Sequence, residues 1–253
     1  MLIQLPRAFC AEITLPTSKS ISARALILRA LAGADTPIHD LSDSDDTRAL
    51  LAALAGTTEV NQEEKNRQTP QSEEKVVENN GAKTSSDAND SSTFPIDIGA
   101  AGTAMRFLTA YFATCAGKSC MLAGSARMKE RPIALLVDAL RSLGAEIDYV
   151  EKEGFPPLRI QGKTLRGGTV ELSAQVSSQY ISALLMIAPT LEQGLTLRLL
   201  GEIASAPYIA MTLALMKSFG VDAKWEGNEL FVPAGRYRCP QPYHIEPDWS
   251  AAS

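Results

Sequence analysis

The sequence predicts a mixed α/β (α+β) fold in which one helix-plus-strand unit recurs three times around a shared core. Three observations carry this. The stretch Leu136–Ile147 is echoed by Leu213–Ala223, and each reads as an amphipathic helix, a glycine stop (Gly144, Gly220) and a strand. Each is followed by a short polar turn and a second strand, over 157–161 and 229–233. Each is preceded by a helix that is apolar nearly all round, which belongs inside the molecule. A weaker third copy, Thr47–Gly56, follows a third helix of that kind, so the pattern is a pseudo-symmetric repeat within one domain.

The elements follow in chain order. Leu2–Leu15 reads as two short strands around Pro6. Ser18-Lys19-Ser20 then opens the first buried helix, with Arg24 about one turn on. Asp45 and Asp46, in a Ser-Asp-Ser-Asp-Asp run, are expected to cap the helix beginning at Thr47; a metal pair is the less favoured reading. Residues 57–94 are polar with almost no apolar content and are expected to form a mobile surface insertion, because burial cannot offset the cost of ordering them. Gly99-Ala100-Ala101-Gly102-Thr103-Ala104-Met105-Arg106 opens the second buried helix, where the glycines admit a ligand close to the backbone and Thr103 can cap. Ala126–Pro132 packs Arg127, Lys129 and Arg131 into one loop. Val176-Ser177-Ser178-Gln179-Tyr180 opens the third buried helix, which Pro189 ends.

Composition narrows the function classes. At 253 residues the chain can bury a sizeable core, and 45% hydrophobic with 21% charged residues is ordinary for a globular protein. The four cysteines show no zinc-type pairing and there are two histidines, so we expect no metal and no cofactor, with reduced thiols in a cytoplasmic setting. No run approaches a membrane span, and the formal net charge of −5 argues against nucleic acid as the main partner. Small anions are a different matter. A helix start offers unpaired N–H groups and partial positive charge. Lys19, Arg24, Arg106, Arg127, Lys129 and Arg131 lie at or between three such starts, so a cleft shared by them would attract anions whatever the global charge.

Together these motifs carry a resemblance. The segments SKSISARAL, AAGTAMRF, RMKERP, VSSQY and SAPYIAMTLALMKSFG resemble successive motifs of the 3-phosphoshikimate 1-carboxyvinyltransferase (EPSP synthase) family, in the family's order and over nearly the whole chain. The resemblance implies three βαβαββ units with parallel buried helices, forming one domain of a two-domain inside-out α/β barrel enzyme. It implies that residues 1–15 are strands of a second domain, that 16–244 form the enolpyruvyl transferase domain with 57–94 inserted, and that 245–253 begin the crossover to that second domain, which this chain lacks. The implied reaction moves the enolpyruvyl group of phosphoenolpyruvate to the 5-hydroxyl of shikimate 3-phosphate, with release of phosphate, in a protein that is a monomer without nucleic acid or membrane partners.

By resemblance, Lys19 contacts both substrates and accompanies proton transfer, while Ser20 and Arg24 hold the carboxylate and ring side of shikimate 3-phosphate. Ser177, Ser178 and Ser205 match its phosphate- and hydroxyl-binding positions, Gln179 touches both ligands, and Tyr208 matches a wall position. Gly102 and Arg127 fall to phosphoenolpyruvate, and Thr103 counts among the substrate-binding residues. The sequence departs from the family at Ala100 (often Asn), Phe107 (often Pro) and Ala206 (often Lys), the first of which bears on sensitivity to glyphosate-like competitors. The family's catalytic Asp has no counterpart in this chain, so the isolated chain is expected to be inactive. Two other readings stay open: a non-catalytic module that binds shikimate 3-phosphate, and UDP-N-acetylglucosamine enolpyruvyltransferase, which typically begins Ala-Lys-Asn where this chain has Ser18-Lys19-Ser20.

Overall fold

A computed structural model of the chain describes residues 14–67, 93–240 and 242–248. The expected strands over 2–13 and the last residues of the tail, 249–253, lie outside the described residues.

Two complete units are present. In the first, β2 (Thr93–Asp97), α3 (Gly102–Ala113), β3 (Ser119–Ala123), α4 (Ala134–Ser142), β4 (Glu146–Tyr149) and β5 (Leu158–Gln161) give a sheet of order β2-β3-β5-β4. In the second, β6 (Gly168–Ser173), α5 (Ser178–Ile187), β7 (Leu195–Leu200), α6 (Ala206–Ser218), β8 (Lys224–Glu226) and β9 (Glu229–Val232) repeat it as β6-β7-β9-β8. In both, the first two strands are parallel with a buried helix crossing between them, and the last two form an antiparallel hairpin. The strands alternate as half-buried strands should: Leu158 and Ile160 point in while Arg159 and Gln161 point out. Gly144 and Gly220 follow α4 and α6 with φ of 102° and 84°, a left-handed turn that a side chain would strain.

Among the described residues the third unit is partial. It contains α1 (Lys19–Leu31), β1 (Ile38–His39) and α2 (Asp45–Arg67). The parallel neighbour of β1 comes from the far end of the chain: β10 (Tyr243–His244) pairs Ile38 with Tyr243 and His39 with His244. Just beyond it, Ser18 N–H donates to the Glu246 carbonyl (3.0 Å) and Asp248 N–H to the Pro16 carbonyl (2.7 Å), so the two outer stretches of the domain run antiparallel side by side.

Two expectations need correction. The insertion expected over 57–94 overlaps two regular elements, because α2 runs on to Arg67 and β2 starts at Thr93; the rest of that stretch, 68–92, lies outside the described residues. The run Gln62-Glu63-Glu64-Lys65 is polar but made of good helix formers, and once a helix is nucleated they extend it. The cap of α2 is Ser44, whose hydroxyl accepts Thr47 N–H (3.3 Å), and the helix begins at Asp45, ahead of Thr47. There is no closed barrel among the described residues; the two four-stranded sheets are open.

The core packs helices against the inner faces of both sheets. All twelve residues of α3 are buried, as are Ser22–Leu28 of α1 and Tyr180–Ile187 of α5. α3 packs on α1, α2 and α5, and α5 on α6. The starts of these helices lie level with one another. Gln179, second in α5, reaches Thr103, second in α3, and Arg24 of α1 meets Ser182 of α5 and Thr212 of α6 in their second turns.

Candidate active-site cleft at the helix starts

The level starts make one polar face out of four chain segments. Lys19 Nζ lies 3.5 Å from Asp46 Oδ2, and the other oxygen of that carboxylate accepts the backbone N–H groups of Thr103 (2.8 Å) and Ala104 (3.2 Å). The Thr103 hydroxyl in turn accepts from Gln179 Nε2 (3.2 Å). Lys19, Thr103 and Gln179 are thus joined through Asp46, a residue expected only as a cap of its own helix. The capping residue of α3 is Ala101, which has no side chain able to cap, and Asp46 does that work from the neighbouring helix. Asp45 instead pairs with Arg48 at the surface (2.8 Å). The two carboxylates therefore point to different partners, and the metal-pair reading of this run has no geometric support.

The remaining expected residues fall into two groups. Arg127 is exposed and lines a cavity of about 180 Å³ with Ala100, Met128 and Arg131. The Arg131 guanidinium lies against Gly102, so closely that a Cβ there would collide with it. Neither Arg127 nor Arg131 forms an ion pair among the described residues. Around α5 and α6, Ser177 is exposed, Ser178, Gln179 and Ser205 are half-buried, and Tyr208 is exposed. The Ser177 hydroxyl caps its own helix by accepting Gln179 N–H (3.3 Å).

Three expected cations do not face the cleft as free charges. Arg24 is 2% exposed; it donates to Thr212 Oγ1 (2.8 Å), Ser182 Oγ (2.9 Å) and the Ser20 carbonyl (2.9 Å), and stands over the Phe107 ring. Burial pulls its pKa down to about 10, which leaves it charged near neutrality with hydroxyls and a carbonyl as partners. Arg106 is also buried, donating to the carbonyls of Gly102 and Pro132 (both 3.1 Å), and so ties the cationic loop to α3. Burial lowers its pKa too. Lys129 turns away to Glu151. Apart from Asp46, sequence reasoning missed Ser182, Thr212 and Tyr180, whose hydroxyl donates to Pro132 O (2.6 Å). The available signal was the isolated hydroxyl in an otherwise apolar helix, Ser182 four residues after Ser178 and Thr212 within α6.

This arrangement has relatives. The family profile described as EPSP synthase (3-phosphoshikimate 1-carboxyvinyltransferase) matches residues 3–253. The chain belongs to the EPSP synthase family. Its similarity to the 3-phosphoshikimate 1-carboxyvinyltransferase of Bacteroides fragilis (strain YCH46) is 47% identity over 253 residues, all of this chain and 53% of that protein. To the enzyme of the same name from Yersinia pestis bv. Antiqua (strain Angola) it is 44% over 244 residues, 95% of this chain and 54% of that one. A solved EPSP synthase from Acinetobacter baumannii shares the fold with a TM-score of 0.71 at 22% identity, over 95% of this chain and 51% of that structure. The chain thus spans about half the length of the EPSP synthases it matches, and the two βαβαββ units with their partial third are the architecture expected for one domain of a two-domain EPSP synthase.

Proposed function

We propose that this chain provides the shikimate 3-phosphate-binding half of a 3-phosphoshikimate 1-carboxyvinyltransferase, which transfers the enolpyruvyl group of phosphoenolpyruvate to the 5-hydroxyl of shikimate 3-phosphate and releases phosphate. The observation that carries it is the continuous contact chain from Lys19 through Asp46 and Thr103 to Gln179, with the guanidiniums of Arg127 and Arg131, which form no ion pair among the described residues, beside it. Each substrate brings a carboxylate and a phosphate of about −1.5 to −2 charge, so bringing them together needs fixed positive charge and oriented donors.

In this reading Ser20, Ser177, Ser178, Ser205, Gln179 and Tyr208 surround shikimate 3-phosphate, and Arg24 supplies positive charge from beneath. Phosphoenolpyruvate lies toward Gly102, Thr103 and Arg127. Lys19 stands between the two ligands, where its ammonium can accompany proton transfer as the tetrahedral adduct forms and then eliminates phosphate. By the resemblance, the family's carboxylate base falls in the part of the relatives' length that these 253 residues do not span. Residues 16–244 form the working domain, and we place the protein in the cytoplasm as a monomer. No helix among the described residues is long and apolar enough to cross a membrane.

Titration calorimetry of the chain with shikimate 3-phosphate, paired with an assay of phosphate release, tests this. Binding without turnover is expected, with Lys19→Ala losing affinity at least tenfold, since a charge-assisted contact contributes about 1.5–3 kcal/mol. Absence of binding, or equal affinity in Lys19→Ala, overturns the assignment of the cleft. Turnover by the chain alone overturns the need for an outside base.

A further inference from the structure

We infer that Asp46 is a positioning residue for the cleft, holding the Lys19 ammonium at a fixed point against the first turn of α3. Only the affinity measurement below rests on the function proposed above. Three features set Asp46 apart from an ordinary acid at a helix start. Its own helix does not need it, because the Ser44 hydroxyl already caps α2. Its Oδ1 is anchored by two N–H groups, Thr103 and Ala104, of a helix whose every residue is buried, so the carboxylate cannot drift. Its Oδ2 is left for one cation, Lys19 Nζ at 3.5 Å.

The exposures show which partner leads. The Asp46 side chain is 13% exposed and the Lys19 side chain 51%. A lysine on a flexible four-carbon stem, half in solvent, would otherwise sample many rotamers and sweep its charge through the cleft. A rigid carboxylate beside it selects those that bring the ammonium to the Thr103–Gln179 junction. That selection happens before a ligand arrives, so less freedom is lost on binding. Removing the charge while keeping the anchor should therefore weaken ligand binding, even though it makes the cleft more positive.

The experiment compares Asp46→Asn, which keeps an acceptor for Thr103 and Ala104 N–H, with the parent chain. Trace acetylation by acetic anhydride, read by peptide mass spectrometry, reports Lys19 relative to the exposed Lys224. A side chain pinned beside the carboxylate presents its nitrogen to the reagent less often, so Asp46→Asn should speed Lys19 labelling about threefold without changing Lys224. In titrations with shikimate 3-phosphate, Asp46→Asn should lose about tenfold in affinity when Lys19 is present and nothing in a Lys19→Met background. A role confined to capping α3 predicts the same loss in both backgrounds. Unchanged Lys19 labelling in Asp46→Asn, or equal affinity losses with and without Lys19, overturns the inference. Failure of the parent chain to bind shikimate 3-phosphate would count against the proposed function, and the labelling result would still decide the role of Asp46.

Discussion

Replacing Thr212 by Val should destabilise the fold more than replacing Arg24 by Met, although each change removes three hydrogen bonds. The guanidinium of Arg24 is buried and charged, with no carboxylate partner in its three hydrogen bonds. Thr212 Oγ1 sits at the centre of this group: it accepts from Arg24 Nε (2.8 Å) and from Ser182 Oγ (2.9 Å) and donates to the Tyr208 carbonyl (2.8 Å). Valine fills the same space and leaves the charge in place, so a buried N–H of a cation loses its acceptor. A hydrogen bond to a charged group contributes about 1.5–3 kcal/mol, and a stranded buried donor costs about as much, so we expect a loss of about 2–3 kcal/mol. At about 2–4 °C per kcal/mol for a chain of this size, the Tm falls by roughly 4–12 °C.

Arg24→Met removes the charge together with the need to solvate it. Ser182 and Thr212 remain bonded to each other and to Tyr208 O, and methionine can lie against the Phe107 ring that the guanidinium now covers. Exchanging a buried charge for an apolar side chain of similar volume is often neutral, so we expect a cost below about 1 kcal/mol. The double variant should then be more stable than Thr212→Val alone, because the stranded charge is gone. Urea unfolding of the four proteins, followed by far-ultraviolet circular dichroism, measures this. If Arg24→Met costs as much as Thr212→Val, or the two changes simply add, Arg24 is an integral part of the packing and the argument fails.

Further outcomes are expected elsewhere in the molecule. Gly162→Ala should abolish soluble folded protein or cost more than about 3 kcal/mol, since its Cβ would collide with the carbonyl oxygens of Cys115 and Phe112 in the backbone that closes α3; proteolysis resistance equal to the parent would refute it. Cys115 and Cys120 should resist Ellman's reagent at pH 8 in the native chain and react in urea, because burial pushes their thiols up to about 11 and about 12. Lys129→Ala should leave shikimate 3-phosphate affinity within a factor of two, as Glu151 already holds that cation away from the cleft, whereas Arg127→Ala should weaken phosphoenolpyruvate binding at least tenfold in the complete enzyme; calorimetry distinguishes the two.

What could be read in the sequence and what could not divide along a physical line. Gly144, Gly220 and Pro189 each act on the backbone within a turn of their own position, so the ends of α4, α6 and α5 were legible from residue type. The helices that line the core were legible because unbroken apolar content has no other stable location. The β1–β10 pair was not: two residues are too few for alternation to show, and the partners are more than two hundred positions apart. The candidate site shows the same split. Lys19, Thr103 and Gln179 announce themselves as helix-start residues, but the carboxylate that joins them starts a fourth helix. Its partner is set by the packing of α2 on α3. Arg24 is the converse case, since its type suggests a ligand contact and its place in the second turn of a buried helix removes it from solvent.

Two thiols, Cys120 buried and Cys115 half-buried, give the fold a defined alkaline weakness, and its sign can be worked out. A thiol whose folded pKa is raised holds its proton more tightly in the folded state than in the unfolded chain, where it ionises near pH 9. Its contribution to stability is therefore complete below pH 9 and declines as pH rises through the folded values of about 11 and about 12. Tyr237, buried with its hydroxyl donating to the Met186 carbonyl (2.8 Å), is raised for the same reason and adds to the decline from about pH 10. The urea midpoint should thus be flat from pH 7 to 8.5 and fall steadily between pH 9 and 11. Replacing both cysteines by alanine lowers the midpoint at neutral pH through lost packing, yet it should reduce the part of the slope below pH 10, where the tyrosine does not titrate in either state and only the Cys239 thiol, also raised by burial, is left among the described cysteines. A double variant with the parental slope between pH 9 and 10 would show that some other group drives alkaline unfolding, and that the protons on these thiols are not what holds this side of α3 and β3 closed.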